Sequence, residues 1–211
     1  MRRVRAVSAA SVVALIVAVL VLGVLDPVRG SSVRTDALGP DNDETAAQYV
    51  ARVDPPSGDG DRWALVSFTR SMRADEIAPT VDGIRVSVVY AHVPIDRVQT
   101  PLVVVPVPDT DSVLASSVRL AAGLVPPGRD QRGNAIATVV RARLQADCDC
   151  AAGVLVRASV PELAALAGLD GIRAVEALPG DAVYGRFAVA PLYPERDGDA
   201  VQPDDGPVPA S

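Results

Sequence analysis

The 211-residue chain has no lysine, one histidine, two cysteines and one tryptophan, and aromatic residues make up only 3% of it. Each scarcity removes a class of function. So few aromatic faces leave no platform for stacking bases or sugars. The sole histidine, His92, would have to serve any histidine-dependent triad, and no Gly-x-Ser-x-Gly turn accompanies it. Phosphate loops, dinucleotide fingerprints, calcium loops and the zinc-protease helix are missing from the sequence. Basic charge is carried by arginine alone, and 20 basic residues against 26 acidic ones give a net charge of −6. Nucleic acid is therefore not an expected partner, because phosphate binding needs a net basic footprint. No catalytic residue, no cofactor and no metal site is expected, and the chain does not read as an enzyme. The missing lysine, beside abundant Ala, Val, Arg, Gly and Pro, matches the codon usage of a high-GC bacterial genome.

What the chain does have is a long apolar run. Ala6 to Leu25 are twenty consecutive uncharged residues, rich in Val, Leu and Ile. As a helix at 1.5 Å per residue the run is about 30 Å long, the thickness of a bilayer's hydrocarbon core. Arg2, Arg3 and Arg5 precede it, and by the positive-inside rule they stay in the cytoplasm while everything after Leu25 lies on the far side. The expectation is a cytoplasmic stub over 1–5 and a transmembrane helix over 6–25. The rival reading is a signal peptide cleaved near Val28-Arg29-Gly30 and a secreted product, although signal cores of about 7 to 15 residues are shorter than this run. Both readings export the remainder.

Composition divides that remainder. Residues 26–61 are rich in Asp, Gly, Pro and Ser, notably Asp54-Pro55-Pro56-Ser57-Gly58-Asp59-Gly60-Asp61, and read as a flexible linker. Within them Asp43 to Val53 has the pattern of a short helix capped by Asp41 or Asn42, with Tyr49, Val50 and Val53 as a thin apolar stripe. Residues 191–211 hold five prolines and five acidic residues and read as a disordered acidic tail. Residues 62–190 are the expected extracytoplasmic domain, with an insertion over 94–152.

Two segments of that domain resemble each other. Trp63 to Phe68 is strand-like, Ser71 to Val81 has helical spacing at Ala74, Ile77, Ala78 and Val81, and Asp82-Gly83-Ile84-Arg85 leads into a second strand. The second copy runs from Gly153 to Ala158, through a helix at Pro161 to Ala167, to Asp170-Gly171-Ile172-Arg173. Ser159 and Glu162 have capping-box spacing, and Gly168 is placed as a helix stop. A lone β-α-β unit cannot bury the apolar side of its helix, whereas two can share one sheet and one core. The predicted fold class is α+β, a ferredoxin-like split β-α-β sandwich with a helical-hairpin insertion. The order Trp63 to Val93 and Gly153 to Leu178 resembles the prodomain and inhibitor module of subtilisin-type proteases, though no protease follows and a long insertion separates the halves. The whole also resembles single-span envelope proteins of high-GC bacteria that have no assigned activity, which share the Val98-Gln99-Thr100 segment and a paired-cysteine stretch before the third strand.

In the insertion, Leu102 to Pro108 is strand-like, but Pro106 and Pro108 cannot donate to a ladder, so the segment belongs at a sheet edge or in an arm. Asp111 to Leu124 and Asn134 to Asp147 read as two helices around a turn-rich stretch. Arg119, Arg129, Arg132, Arg141 and Arg143 make this a basic island, suited to an acidic partner or anionic headgroups, or else a solvated face paired with nearby carboxylates. Cys148 and Cys150 are read as a disulfide, an interchain bridge or two free thiols; zinc sites show more ligands at wider spacing. His92 is placed on the second strand, on the face of Val88 and Tyr90, as a packed or surface residue. The chain is thus expected to be a single-pass envelope protein whose exported domain binds an envelope protein in a regulatory or structural role. The alternatives are an inhibitor that presents Ala177 to Tyr184 to a secreted subtilisin-type protease, and a thiol-redox protein using Cys148 and Cys150.

Overall fold

A computed structural model describes residues 36–42, 44–108, 111–195 and 203–210. The apolar run over 6–25 lies outside them, and among the described residues no helix is long and apolar enough to cross a membrane. The architecture is mixed α+β, built on a five-stranded antiparallel sheet. Its strands are β2 (Asp61–Met72), β3 (Val86–Ala91), β4 (Val103–Pro106), β5 (Ala151–Ser159) and β6 (Ile172–Ala177), in the spatial order β4-β3-β5-β2-β6. Two further strands, β1 (Ala37–Leu38) and β7 (Ala188–Val189), pair in parallel apart from it.

The central strand β2 shows why the sheet is covered on both faces. Side chains alternate along a strand, so Ala64, Val66 and Phe68 point one way and Leu65 the other, yet all four are buried. A strand buried on both sides reads as an unbroken apolar run, which is how 63–68 appears in the sequence. The Ala64 face packs under helices α2 (Ala74–Thr80), α4 (Ser117–Leu124), α5 (Gln131–Gln145) and α6 (Val160–Leu166), which contribute Ile77, Val118, Ala121, Ile136, Val140, Leu144, Leu163 and Leu166 to one core. The Leu65 face, with Val88, Tyr90 and Leu155, is covered by Leu38, Leu178 and the half-buried Phe187 and Val189. Burying a side chain of this size stabilises by about 1.5–3 kcal/mol.

The two sequence copies fold alike. In each, a helix opens with the carboxylate of its third residue accepting the N-cap N–H: Glu76 accepts the Arg73 N–H at 2.9 Å, and Glu162 accepts the Ser159 N–H at 2.8 Å. After each helix a left-handed turn leads into the next strand, with φ of 52° and 74° at Asp82 and Gly83 and 87° at Gly171. A Cβ at Gly171 would stand 3.3 Å from the Met72 methyl and 3.5 Å from the Thr80 methyl, so its glycine also lets the copies close on one another. Gly168, read as a helix stop, is not among the left-handed positions; α6 ends through Ala167 in the right-handed region.

The insertion supplies β4 at the sheet's rim, where Val103, Val105 and Val107 face the core and Val104 is exposed. The helix expected over 111–124 is in two pieces, α3 (Asp111–Leu114) and α4, and at the break the Ser116 hydroxyl donates to the Ser112 carbonyl at 2.7 Å. Helix α5 starts earlier than expected, at Gln131, where the Asp130 carboxylate accepts the Gly133 N–H at 2.7 Å.

The largest departures from the sequence reading are at the ends. Residues 36–42 and 44–53, read as a flexible linker with a short helix in it, are folded: α1 (Ala46–Arg52), capped by Thr45 rather than Asp41 or Asn42, buries Tyr49 completely against Ala174 and Leu192. Of the tail read as disordered over 191–211, the described residues 191–195 and 203–210 also dock. Leu192 is buried, the Gly206 N–H donates to the Arg97 carbonyl at 2.7 Å, and Asp204 and Asp205 pair with Arg132 and Arg97. Acidic, proline-rich composition is the usual mark of disorder, but here the carboxylates have guanidinium partners waiting.

Candidate functional site

The basic island is largely committed inside the molecule. Arg119 pairs with Asp147 at 2.8 Å, and Arg141 donates to the Val125 carbonyl at 3.0 Å. Arg143 donates to the Pro94 carbonyl at 3.0 Å, and Arg132 to Asp204 and to the Gly206 carbonyl at 3.1 and 3.0 Å. Each guanidinium clamps a loop or the tail onto the hairpin α4–α5. Arg129 differs: it is exposed at the hairpin turn. Beside them, α4 presents Leu120 and Leu124, one turn apart and 48% and 52% exposed.

Cys148 and Cys150 form an intrachain disulfide just before β5. Asp147, with a φ of 58°, turns the chain into it and is held by both Arg119 and Arg73. Cys150 is buried and tied into the sheet, its N–H donating to the Met72 carbonyl and its carbonyl accepting the His92 N–H.

His92 follows β3 rather than lying on it. Its Nε2 is 2.9 Å from the Thr100 hydroxyl and its Nδ1 2.7 Å from a Glu195 carboxylate oxygen, while the Tyr193 ring stacks on the imidazole at 3.9 Å. Hydroxyl, imidazole and carboxylate stand in the order of a catalytic triad. The Thr100 hydroxyl also donates to the Val93 carbonyl at 2.7 Å, and with Glu195 and Tyr193 on the imidazole the group ties the loop after β3 to the C-terminal segment.

Two groupings on the Leu65 face carried no signal in the sequence. In the first, a Glu176 carboxylate oxygen accepts the Gly39 N–H at 2.5 Å and the Tyr49 hydroxyl at 3.1 Å, and the other oxygen meets Arg52 at 3.2 Å. Burial, reinforced by the Glu176 charge, raises the Tyr49 phenol well above its ordinary value. Arg52 also binds Glu44, which lowers the Glu44 carboxyl and raises the guanidinium. In the second, Trp63 lies 5.1 Å from Tyr184 and 6.1 Å from Phe187, centroid to centroid, with the Arg157 guanidinium 5.7 Å over its ring. The scarcity of aromatics was the one hint available, since three of the seven in the chain gather here.

Among the described residues no group of three or more His, Cys, Asp or Glu side chains is arranged to hold a metal ion. No protein-family model, no curated protein and no solved structure matches the chain.

Proposed function

We propose that this is a single-pass envelope protein, anchored by residues 6–25, whose exported domain binds another protein in a regulatory or structural role. The observation that carries the reading is the uncharged run led by three arginines, joined to a folded domain with a Cys148–Cys150 disulfide. Arginines ahead of a membrane-length run favour a cytoplasmic N-terminus, and a disulfide suits an oxidising compartment beyond the membrane. The domain is read as a ferredoxin-like split β-α-β sandwich, on the support of the antiparallel order β3-β5-β2-β6 and the two helix crossovers α2 and α6, with β4 and the α4–α5 hairpin inserted. The docking face is assigned to Leu120 and Leu124, both exposed on α4, and to Arg129, exposed at the turn that follows it.

Inhibition of a subtilisin-type protease has less support. The segment meant to enter the cleft, Ala177 to Tyr184, folds back on its own sheet: the Leu178 N–H donates to the Trp63 carbonyl at 2.8 Å, and Tyr184 packs on Trp63. Photo-crosslinking side chains at Leu120, Leu124 and Arg129, in the native host, test the binding reading. One recurring partner, lost when Leu120→Asp and Leu124→Asp are combined, supports it; no partner at any of the three positions in a membrane-inserted chain refutes it.

A further inference from the structure

We infer that Trp63 and the loop 178–187 form a surface that lies on the bilayer, in its headgroup region. The inference rests on the anchor reading above and adds which face of the domain meets lipid. It starts from an imbalance in where this chain spends its aromatics. The cores are filled mainly with Val, Ala and Leu, yet Trp63, Tyr184 and Phe187 are grouped at a surface, with Val183 and Tyr184 57% and 51% exposed. Trp63 and Phe187 are only half-buried. Packing alone does not call for two large exposed side chains side by side on a turn closed by the Arg186 N–H to the Val183 carbonyl.

The place where the chain enters the fold points to the occupant. The Ala188 N–H donates to the Asp36 carbonyl at 2.9 Å, and Leu38 belongs to the same apolar cluster as Trp63 and Phe187. The first described residues therefore adjoin this aromatic group. Between Leu25 and Asp36 stand ten residues, which extend to at most about 35 Å. The entry point, and the aromatic group with it, cannot move further than that from the end of the apolar run. Within that radius the largest available surface is lipid.

The chemistry of the patch fits an interface. Trp and Tyr concentrate at the headgroup level because each has an apolar body and a polar tip, and arginine stems lie along such rings while their heads reach phosphate. Arg157 already stacks on Trp63, and the Arg62 guanidinium lies against Gly180 in the loop. Asp61 and Asp181 stand nearby, so the patch has mixed charge, and insertion of the rings rather than net attraction would hold it. Because Trp63 is on the sheet face opposite α2 and α4–α6, this orientation turns α4, with Leu120 and Leu124, away from the lipid.

Trp63 is the chain's only tryptophan, so its emission reports on this surface and on nothing else. The full chain is reconstituted into phosphatidylcholine–phosphatidylglycerol vesicles with and without brominated acyl chains, and flotation is measured alongside fluorescence. A ring held about 5–10 Å into the headgroup–acyl boundary should lose about half its emission to bromine. The Val183→Ser, Tyr184→Ser double variant should float equally but be quenched less. A chain that floats with Trp63 unquenched overturns the docking and leaves the anchor standing, as does a crosslinker at Val183 that captures protein instead of lipid. A chain that does not float overturns both.

Discussion

Replacing Tyr49 tests whether the segment that composition assigns to a tether is part of the fold. The side chain is fully buried between Ala46, Ala174 and Leu192, and its hydroxyl donates to Glu176. Truncating a buried aromatic of this size to alanine costs about 3–5 kcal/mol, the sum of lost transfer energy and the cavity left behind. For a domain of 150–250 residues each kcal/mol moves the midpoint by about 2–4 °C, so Tyr49→Ala should lower it by roughly 6–20 °C. Tyr49→Phe keeps the ring and removes one hydrogen bond, worth about 1 kcal/mol. Glu176 would keep the Gly39 N–H and Arg52, so its charge is not stranded and the phenylalanine variant should lose only a few degrees. Thermal unfolding followed by Trp63 emission measures both. If Tyr49→Ala melts within 1–2 °C of the parent, a margin below the effect of about 1 kcal/mol, residues 44–53 are a tether after all and the account of the second face fails.

Other outcomes follow from single groups. The Glu76 carboxyl is held down to about 2 by Arg70 and by the Arg73 N–H, from an ordinary value of 4.5. A depressed carboxylate stabilises above its unfolded value, so this contribution is full above pH 4.5 and is lost as pH falls toward 2. The pair is largely exposed, so screening limits it to about 1 kcal/mol, and Glu76→Gln should lower stability at pH 7 by about that amount, flatten the stability–pH curve in that window and converge on the parent near pH 2. Asp130→Ala removes the cap of α5 and should cost about 1 kcal/mol in urea denaturation. Reducing the disulfide should cost no more than about 2 kcal/mol, because the loop it closes is only three residues long; a larger loss would mean that it braces β5 in a way loop closure does not describe. Alkylation followed by mass measurement should find no free thiol in the exported protein.

The strands and helices of the two copies were legible because their side chains follow the 2.0 and 3.6 periods without competition from special backbone geometry. The capping box at Ser159 and Glu162 and the edge position of 103–106 were legible for the same reason, since each rests on a local hydrogen-bond requirement. What failed to show was long-range. Tyr49 and Glu176 are 127 residues apart, and Arg132 and Asp204 are 72 apart. Nothing near either partner announces the other, so 203–210 looked unstructured and the short helix read within 43–53 looked like part of a tether. The island of arginines left two readings open, a docking surface or a face paired with nearby carboxylates, because local spacing shows positive charge but not which carbonyls and carboxylates meet it.

The rim strand β4 bears on how such a molecule survives crowding. The Val107 N–H donates to the Ser87 carbonyl, so by the alternation of an antiparallel ladder the backbone groups of 103, 105 and 107 face β3 while those of 104, 106 and 108 face outward. Two of those three outward residues are Pro106 and Pro108, leaving Val104 with the single N–H on that edge. An open strand edge is a template for edge-to-edge pairing between copies, and two prolines at alternate positions leave this one a single donor to offer.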